Sequence, residues 1–227
     1  KELVVVTAIS SEKEFNDFLK EKRESIVVVT DDNAILEPNS IREIVSFLSD
    51  DNVGFVAGQP RNYLIRGTDQ KEGLFWRYEQ KIKESESRFG GLSGSNPALY
   101  AFKSDAVKSI PSNCGDVDFY IPTITKKHGY LVIMNSNAVA YGIGNDDLNF
   151  VFKHRINEGH NYWLSFLTFW YLLFPFFRGH FVYISHRVIR WFIPFNLIFV
   201  FLANLGLAFY SLWWLIPLCI QVCFYCW

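Results

Sequence analysis

From Trp191 to Trp227 the chain runs 37 residues without a charged side chain. A helix needs about 20 apolar residues to cross a bilayer, so a run of this length exceeds what a buried core helix requires. Trp191–Tyr210 is predicted to be a transmembrane span, and Leu212–Trp227 the start of a second. The rest of the chain has the opposite character: residues 1–161 carry 42 of the 45 charged side chains. The remaining three, Arg178, Arg187 and Arg190, stand just before the charge-free run, and by the positive-inside rule they put that side in the cytoplasm. Tyr162–Phe177 is apolar but only 16 residues long, with Pro175 and Arg178 closing it, a length that fits an interfacial or re-entrant segment. The expected organisation is a soluble domain over 1–161, an interfacial segment over 162–190 and membrane helices over 191–227. No Asp, Glu, Lys, Arg or His follows Arg190, which argues against a transport path. Cys114 stands alone and Cys219, Cys223 and Cys226 lie in the apolar run, where thiols act as small hydrophobes, so neither a disulfide framework nor a zinc site is expected.

The first 161 residues alternate between β-rich and amphipathic segments. Leu3–Thr7 predicts a strand, and Ser10 or Ser11 can cap a helix in which Phe15, Phe18 and Leu19 form an apolar stripe. Ser25–Thr30 predicts the next strand. A strand–helix–strand unit of this size is a right-handed crossover, so the two strands should pair in parallel. Further strands are expected at Val53–Ala57, Ala98–Phe102 and Gly129–Met134. Helices are expected from Pro38 onward, over Glu72–Ser87, over Ser104–Ser109, after Asp118 and over Asn149–Glu158, and residues 60–72 should form a loop.

The chemistry concentrates at a few points. Val27-Val28-Val29 runs into Thr30-Asp31-Asp32-Asn33, a buried strand ending in carboxylates. Ligands of open α/β sheets bind at the carboxyl ends of strands. Two adjacent acids there repel unless a cation or a donor-rich ligand joins them. The plainer alternative is an Asp-Asn turn. Gly90-Gly91-Leu92-Ser93-Gly94-Ser95-Asn96-Pro97 is a flexible loop rich in hydrogen-bond donors, and Cys114–Asp118 is a second acidic loop before an apolar helix start.

Several segments, in order, resemble the membrane-bound inverting glycosyltransferases of family 2, the group that includes cellulose, chitin and hyaluronan synthases. Asp31-Asp32-Asn33 followed by Pro38 resembles the family's Asp-x-Asp or Asp-x-Asn strand end. Trp76-Arg77-Tyr78-Glu79 with Lys83-Glu84-Ser85-Glu86-Ser87 is similar to the Trp-x-Tyr-Glu…Glu-Ser helix of one branch. Gly94-Ser95-Asn96-Pro97-Ala98-Leu99-Tyr100-Ala101 resembles the acceptor-side loop and strand, and Asp116-Val117-Asp118-Phe119 the segment holding the base. Phe152-Lys153-His154-Arg155-Ile156 falls where the family has Gln-x-x-Arg-Trp, and Ser185-His186-Arg187 with Arg190-Trp191 resembles the approach to its membrane helices.

The resemblance implies an α/β fold, a GT-A (Rossmann-like) glycosyltransferase domain that lacks its N-terminal part and is followed by interfacial and transmembrane helices. The first two strand–helix units, which hold the nucleoside in that fold, would precede Leu3. The implied reaction is inverting transfer of a sugar from a nucleotide-diphosphate sugar, a UDP-sugar foremost, to an acceptor hydroxyl. The enzyme would be a hexosyltransferase of polysaccharide or glycolipid synthesis, sitting in a bacterial inner or plasma membrane with its catalytic domain in the cytoplasm. By the resemblance Asp118 is the general base and Arg155 the diphosphate contact. Asp31 and Asn33 hold Mg2+ or Mn2+, and Asp31, Asn33, Gly94, Ser95, Asn96 and Asp116 meet the substrates. The expected partners are the nucleotide-sugar donor, a saccharide or lipid-linked acceptor and membrane lipid, with no nucleic acid. Trp76 and Tyr78 are expected in the core, Glu79 and Glu86 exposed or paired, and Lys153 and His154 either near the phosphates or on a solvated face. The chain departs from the pattern at Val117, Phe152 and Ile156. Those departures support a second reading, a catalytically degenerate membrane scaffold of a polysaccharide synthesis or export complex.

Overall fold

A computed structural model describes residues 3–7, 12–22, 25–63, 74–88, 91–143, 148–175 and 180–226. The expected caps Ser10 and Ser11, most of the expected loop over 60–72, Gly90 and Arg178 lie outside the described residues, as does the side chain of Trp76. The chain divides into two compact units, Lys1–Tyr183 and Ile184–Trp227.

The first unit is built on a six-stranded mixed sheet. Its strands are β1 (Leu3–Thr7), β2 (Ile26–Thr30), β3 (Ala34–Leu36), β4 (Val53–Tyr63), β5 (Tyr100–Lys103) and β6 (Leu131–Ile143), in the order β1-β2-β5-β4-β6-β3. β1 and β2 pair in parallel across helix α1 (Glu12–Glu21), as the crossover requires. β5 is antiparallel to both of its neighbours.

β2 is buried along its whole length because both faces of the sheet are covered. On one face Ile26, Val28, Val56 and Ala101 pack with Ile44 and Leu48, the apolar side of α2 (Ser40–Ser46) and the turn after it. On the other face the filling is aromatic. Phe55 stacks on Tyr100 at 5.3 Å, and Phe102 meets Phe15 of α1 at 6.4 Å.

Three elements extend beyond their expected bounds. β4 continues to Tyr63 and β6 to Ile143, since they pair in parallel as far as Tyr63↔Ile143 through two register shifts. Gln59 is thereby buried in the ladder, and Asn135 is buried in the irregularity between Met134 and Val139, so neither segment gives an apolar alternation to read. The short strand β3, directly after Asp31-Asp32-Asn33, pairs antiparallel with β6 and was not expected. The helix expected over Glu72–Ser87 is α3 (Leu74–Arg88), and the short one at Ser104 is a single 3-10 turn, Ser104–Ala106. Helix α4 covers Val117–Lys127. Helix α5 runs from Leu148 to Thr168 and passes without a break through the boundary expected at 161/162, since no Pro or Gly pair interrupts it there.

The acidic loop docks on α5. Ser165 Oγ accepts from the Asp116 N–H at 2.9 Å and approaches the Cys114 carbonyl at 3.4 Å. Gly115 has φ +81°, and a Cβ there would stand 2.3 Å from the Asn161 carbonyl oxygen. Only glycine allows both that backbone and that approach.

The second unit consists of apolar helices. A helix runs His180–Tyr210 (α6), with a π-helical segment at Tyr183–Val188, and is long and apolar enough to cross a membrane. It is followed by α7 (Leu215–Cys226). Polar side chains join the two: Asn204 Nδ2 donates to Gln221 Oε1 at 2.8 Å, and the Tyr225 hydroxyl donates to the Leu197 carbonyl at 2.8 Å.

Gly115→Ala is expected to lose at least about 2 kcal/mol, combining a strained backbone with a steric clash. Chemical denaturation followed by tryptophan fluorescence measures it; an unchanged midpoint would contradict this packing of the acidic loop.

Candidate functional site

The site is assembled at one end of β2. Beyond Thr30 the chain leaves the sheet into Asp31, half-buried, and Asp32 and Asn33, both exposed. The Asp31 carboxyl is held above its usual range, first by burial and then by its hydrogen bond to Asp32 and the charge of that neighbour. Asn33 Nδ2 donates to Asp32 Oδ1 at 2.9 Å, which orients the amide oxygen away from Asp32. The turn is therefore made, and it leaves two acids pressed together at its rim. A cation would relieve that repulsion.

The Gly-rich loop is tied to this strand end. Thr30 Oγ1 donates to the Ala98 carbonyl at 2.9 Å. Asn96 Oδ1 accepts from the Ala98 N–H at 2.9 Å, so this side chain makes a turn within its own loop. Gly94 is buried.

At the loop's other side, Ser95 donates both its N–H and its hydroxyl to the Asp118 carbonyl oxygen, each at 3.0 Å. That carbonyl is open to them for a covalent reason. Four residues on in α4 stands Pro122, which has no N–H to return to it. The helix start is capped by Asp116, whose Oδ1 accepts from the Asp118 N–H at 3.0 Å. The capping role thus falls to Asp116, and the half-buried carboxylate of Asp118 is not used as the cap.

Two further residues belong here to which the sequence assigned no role in the site. Tyr100 is fully buried, paired in register with Val29 and Ala57. Its hydroxyl lies beside the Asp118 carboxylate without closing a hydrogen bond of normal geometry. Burial first, then the charges of Asp118 and Asp116, push its phenol well above the usual range, so it remains an O–H donor. Glu86, expected to be exposed or paired, is buried: its Oε2 accepts from the N–H and the hydroxyl of Ser93, each at 2.9 Å. Lys126 Nζ holds the next carbonyl, that of Leu92, at 3.0 Å. The Glu-Ser pair of α3 was visible in the sequence, but its target in the loop was not.

The structure brings together Asp31, Asn33, Gly94, Ser95, Asn96, Asp116 and Asp118 through three joined segments. It places Arg155 elsewhere on the domain. Arg155 is exposed on α5 and donates to Glu158 at 2.9 Å. Ten helical residues, about 15 Å, separate it from Ser165 at the acidic loop. His154 also faces Glu158, at 3.6 Å, and Lys153 is exposed. Tyr78 is exposed and Glu79 half-buried.

Among the described residues no cluster of three or more His, Cys, Asp or Glu side chains forms a complete metal cage. The donor set fits a hard cation that takes one or two protein oxygens and completes its shell with phosphate and water. Asp31 is the anionic member of such a set and the Asn33 amide oxygen a neutral one.

Neither a family model nor a curated protein matches this sequence. Solved structures do resemble the fold. The mannosyltransferase PcManGT from Pyrobaculum calidifontis, solved with GDP-Man and Mn2+, is 17% identical with a TM-score of 0.59, the match covering 95% of this chain and 64% of that one. The glucosyl-3-phosphoglycerate synthase of Mycobacterium tuberculosis, solved with Mn2+, UDP-glucose and phosphoglyceric acid, is 16% identical with a TM-score of 0.44 over 70% of this chain and 56% of that one. The chain spans less than two thirds of either structure. The fold is the mixed α/β fold of GT-A glycosyltransferases.

Pro122→Ala restores an N–H that competes for the Asp118 carbonyl. The expected result is an unchanged or higher melting temperature together with amide exchange at Ser95 about five- to tenfold faster, the scale of one hydrogen bond. Hydrogen–deuterium exchange over residues 91–99 reads it, and unchanged protection of Ser95 would contradict the competition.

Proposed function

We propose that this chain is the catalytic and membrane-proximal part of an inverting glycosyltransferase of family 2, which moves a hexosyl group from a nucleotide-diphosphate sugar to an acceptor hydroxyl. The observation that carries the reading is the pair of ties Thr30–Ala98 and Ser95–Asp118. They draw the acidic strand end, the Gly-rich loop and the candidate base, three segments more than twenty residues apart, into one site. The relative PcManGT carries a nucleotide sugar and Mn2+ on the same fold.

In this reading Asp31 and Asn33 would hold Mg2+ or Mn2+, and the ion would supply positive charge near the departing diphosphate. Asp118 accepts the proton of the acceptor hydroxyl as its oxygen attacks the anomeric carbon. The bond from that carbon to the donor phosphate breaks, and the nucleoside diphosphate leaves with the electron pair. One displacement inverts the anomeric centre. Gly94, buried within the loop, lets the backbone pack closely there, while Ser95, Asn96 and Asp116 fix the walls around Asp118. Arg155 serves as a diphosphate contact only by exchanging Glu158 for phosphate oxygens. UDP-sugars are the donors to test first, with GDP-mannose beside them.

The setting we infer is a membrane surface, with the catalytic domain on the cytoplasmic side and a saccharide or lipid-linked acceptor. The helix His180–Tyr210 has the length and composition of a span. On α5 the exposed side chains Phe152, Ile156, Trp163 and Leu167 recur at intervals of four, seven and four residues, so they share one stripe. A stripe of this kind beside Lys153 and Arg155 suits a lipid interface. The degenerate-scaffold reading keeps support from Val117, Phe152 and Ile156 alone.

Asp31→Ala in the full-length protein is expected to remove Mn2+-dependent binding of UDP-glucose or GDP-mannose in calorimetry. Asp118→Asn should bind the donor within about threefold of wild type yet lose at least about 100-fold in turnover, the scale for a general base. Metal-dependent binding retained by Asp31→Ala, or turnover retained by Asp118→Asn, would reject the assigned role, and binding by neither protein nor variants would favour the scaffold.

The chain is expected to stay in the membrane pellet after an alkaline carbonate wash. Release into the supernatant would reject the spanning helix.

A further inference from the structure

The Tyr100 hydroxyl forms no hydrogen bond of normal geometry in the fold. Tyr100 and Phe102 lie two apart on β5, point to the same face of the sheet and are both fully buried. Phe102 shows that this face accepts a plain aromatic ring. The extra oxygen of Tyr100 is buried without a hydrogen-bond partner of normal geometry, which costs free energy that a phenylalanine would avoid. Such an uncompensated polar atom in a packed core calls for an explanation. Among the described residues Gln80 and Thr123 also carry such an atom, but the Tyr100 oxygen is the one that lies beside the carboxylates of Asp118 and Asp116.

The tyrosine is also held more firmly than the acid it faces. β2 and β4 pair with its backbone on both sides, and its ring stacks on Phe55 at 5.3 Å and meets Phe102 at 6.4 Å. Asp118 sits in the first turn of α4, positioned by the Ser95 and Asp116 contacts to its backbone, and its half-buried carboxylate lies at the site. A rigid donor facing an acid in the first turn of a helix can select one rotamer of that acid.

We propose that Tyr100 is a positioning residue: its hydroxyl donates to one carboxylate oxygen of Asp118 when substrate is bound and leaves the other oxygen directed at the acceptor hydroxyl. The inference rests on the reading of Asp118 as general base. Tyr100 does not touch the sugar or the phosphates and takes no proton in the reaction. Its effect is to reduce the orientations that the base must search, which acts on turnover and not on donor binding.

The test is Tyr100→Phe in the full-length protein, with release of UDP from UDP-glucose and of GDP from GDP-mannose measured in the presence of Mn2+, and thermal unfolding measured alongside. The expected result is kcat lower by about 10- to 100-fold, the scale for removing a group that orients a reacting side chain, with donor KM within twofold of wild type. The melting temperature should be equal or higher, because an uncompensated buried hydroxyl has been removed. A purely structural tyrosine would do the reverse, lowering the melting temperature and leaving kcat of the folded fraction unchanged, and that result overturns the proposal. So does a change confined to donor KM. Asp118→Asn separates the two levels. If it is inactive while Tyr100→Phe is fully active, the tyrosine proposal alone fails. If Asp118→Asn retains turnover, the base assignment fails and the positioning role with it.

Discussion

The backbone carbonyl of Asp118 is the point on which the candidate site depends. An α-helix ordinarily closes each carbonyl with the N–H four residues later, and Pro122 has none to offer. Ser95 fills the vacancy twice, with its N–H and its hydroxyl. A residue that would weaken a helix elsewhere thus creates an attachment point in its first turn. The Gly-rich loop, which has no regular structure of its own, is fixed to that point at one end and to Thr30 through Ala98 at the other. The strand end that carries two acids and the helix start that carries Asp118 are joined because a loop of small residues is strapped between them.

The same region concentrates polar groups that a fold optimised for stability alone would exclude. Asp31 and Asp32 press like charges together, Glu86 buries a carboxylate among Ser93 donors, and Tyr100 buries a hydroxyl with no partner of normal geometry. Each uncompensated buried polar group costs about 1–3 kcal/mol against a net domain stability of about 5–15 kcal/mol. The sheet beneath can carry that load because its central strands are covered on both faces, by aliphatic side chains under α2 and by aromatic rings toward α1. Local strain of this kind is expected where a site is preorganised for a ligand.

The parts of the fold read correctly from sequence are those in which local pattern and tertiary environment agree. β2 is a β-branched run buried on both faces, and α1 presents Phe15 and Leu19 at helical spacing; both formed as expected and pair β1 with β2 in parallel. Failures came where the environment overrode the pattern. The outer half of β4 runs through Pro60 into the segment read as loop, yet from Gln59↔Val139 to Tyr63↔Ile143 it pairs with the outer half of β6. In the site, the acids and the Gly-rich loop were visible because they are punctuated by turn residues. The Pro122 vacancy, the Glu86 strap and the Tyr100 oxygen were not, since each is defined by a contact between residues distant in the chain. For Arg155 the motif gave a position but not a partner: in the fold its guanidinium pairs with Glu158 on an exposed helical face.

Helix α5 connects the site to the inferred membrane setting through its own geometry. Asn161, Ser165 and Thr168 meet the acidic loop, through the close approach to Gly115 and the contacts to Asp116, Cys114 and Asn113. At 100° per residue, the stripe of Phe152, Ile156, Trp163 and Leu167 lies on the opposite side. The two sides answer different demands, since one must pack closely enough to exclude a Cβ at residue 115 and the other leaves large apolar surface uncovered. With the stripe against a lipid interface, the thickness of one helix, about 10 Å, separates the acidic loop from the bilayer surface. A soluble sugar acceptor gains nothing from that spacing. A lipid-linked acceptor would, in the proposed reaction, keep its hydrophobic anchor in the membrane while its hydroxyl approaches Asp118.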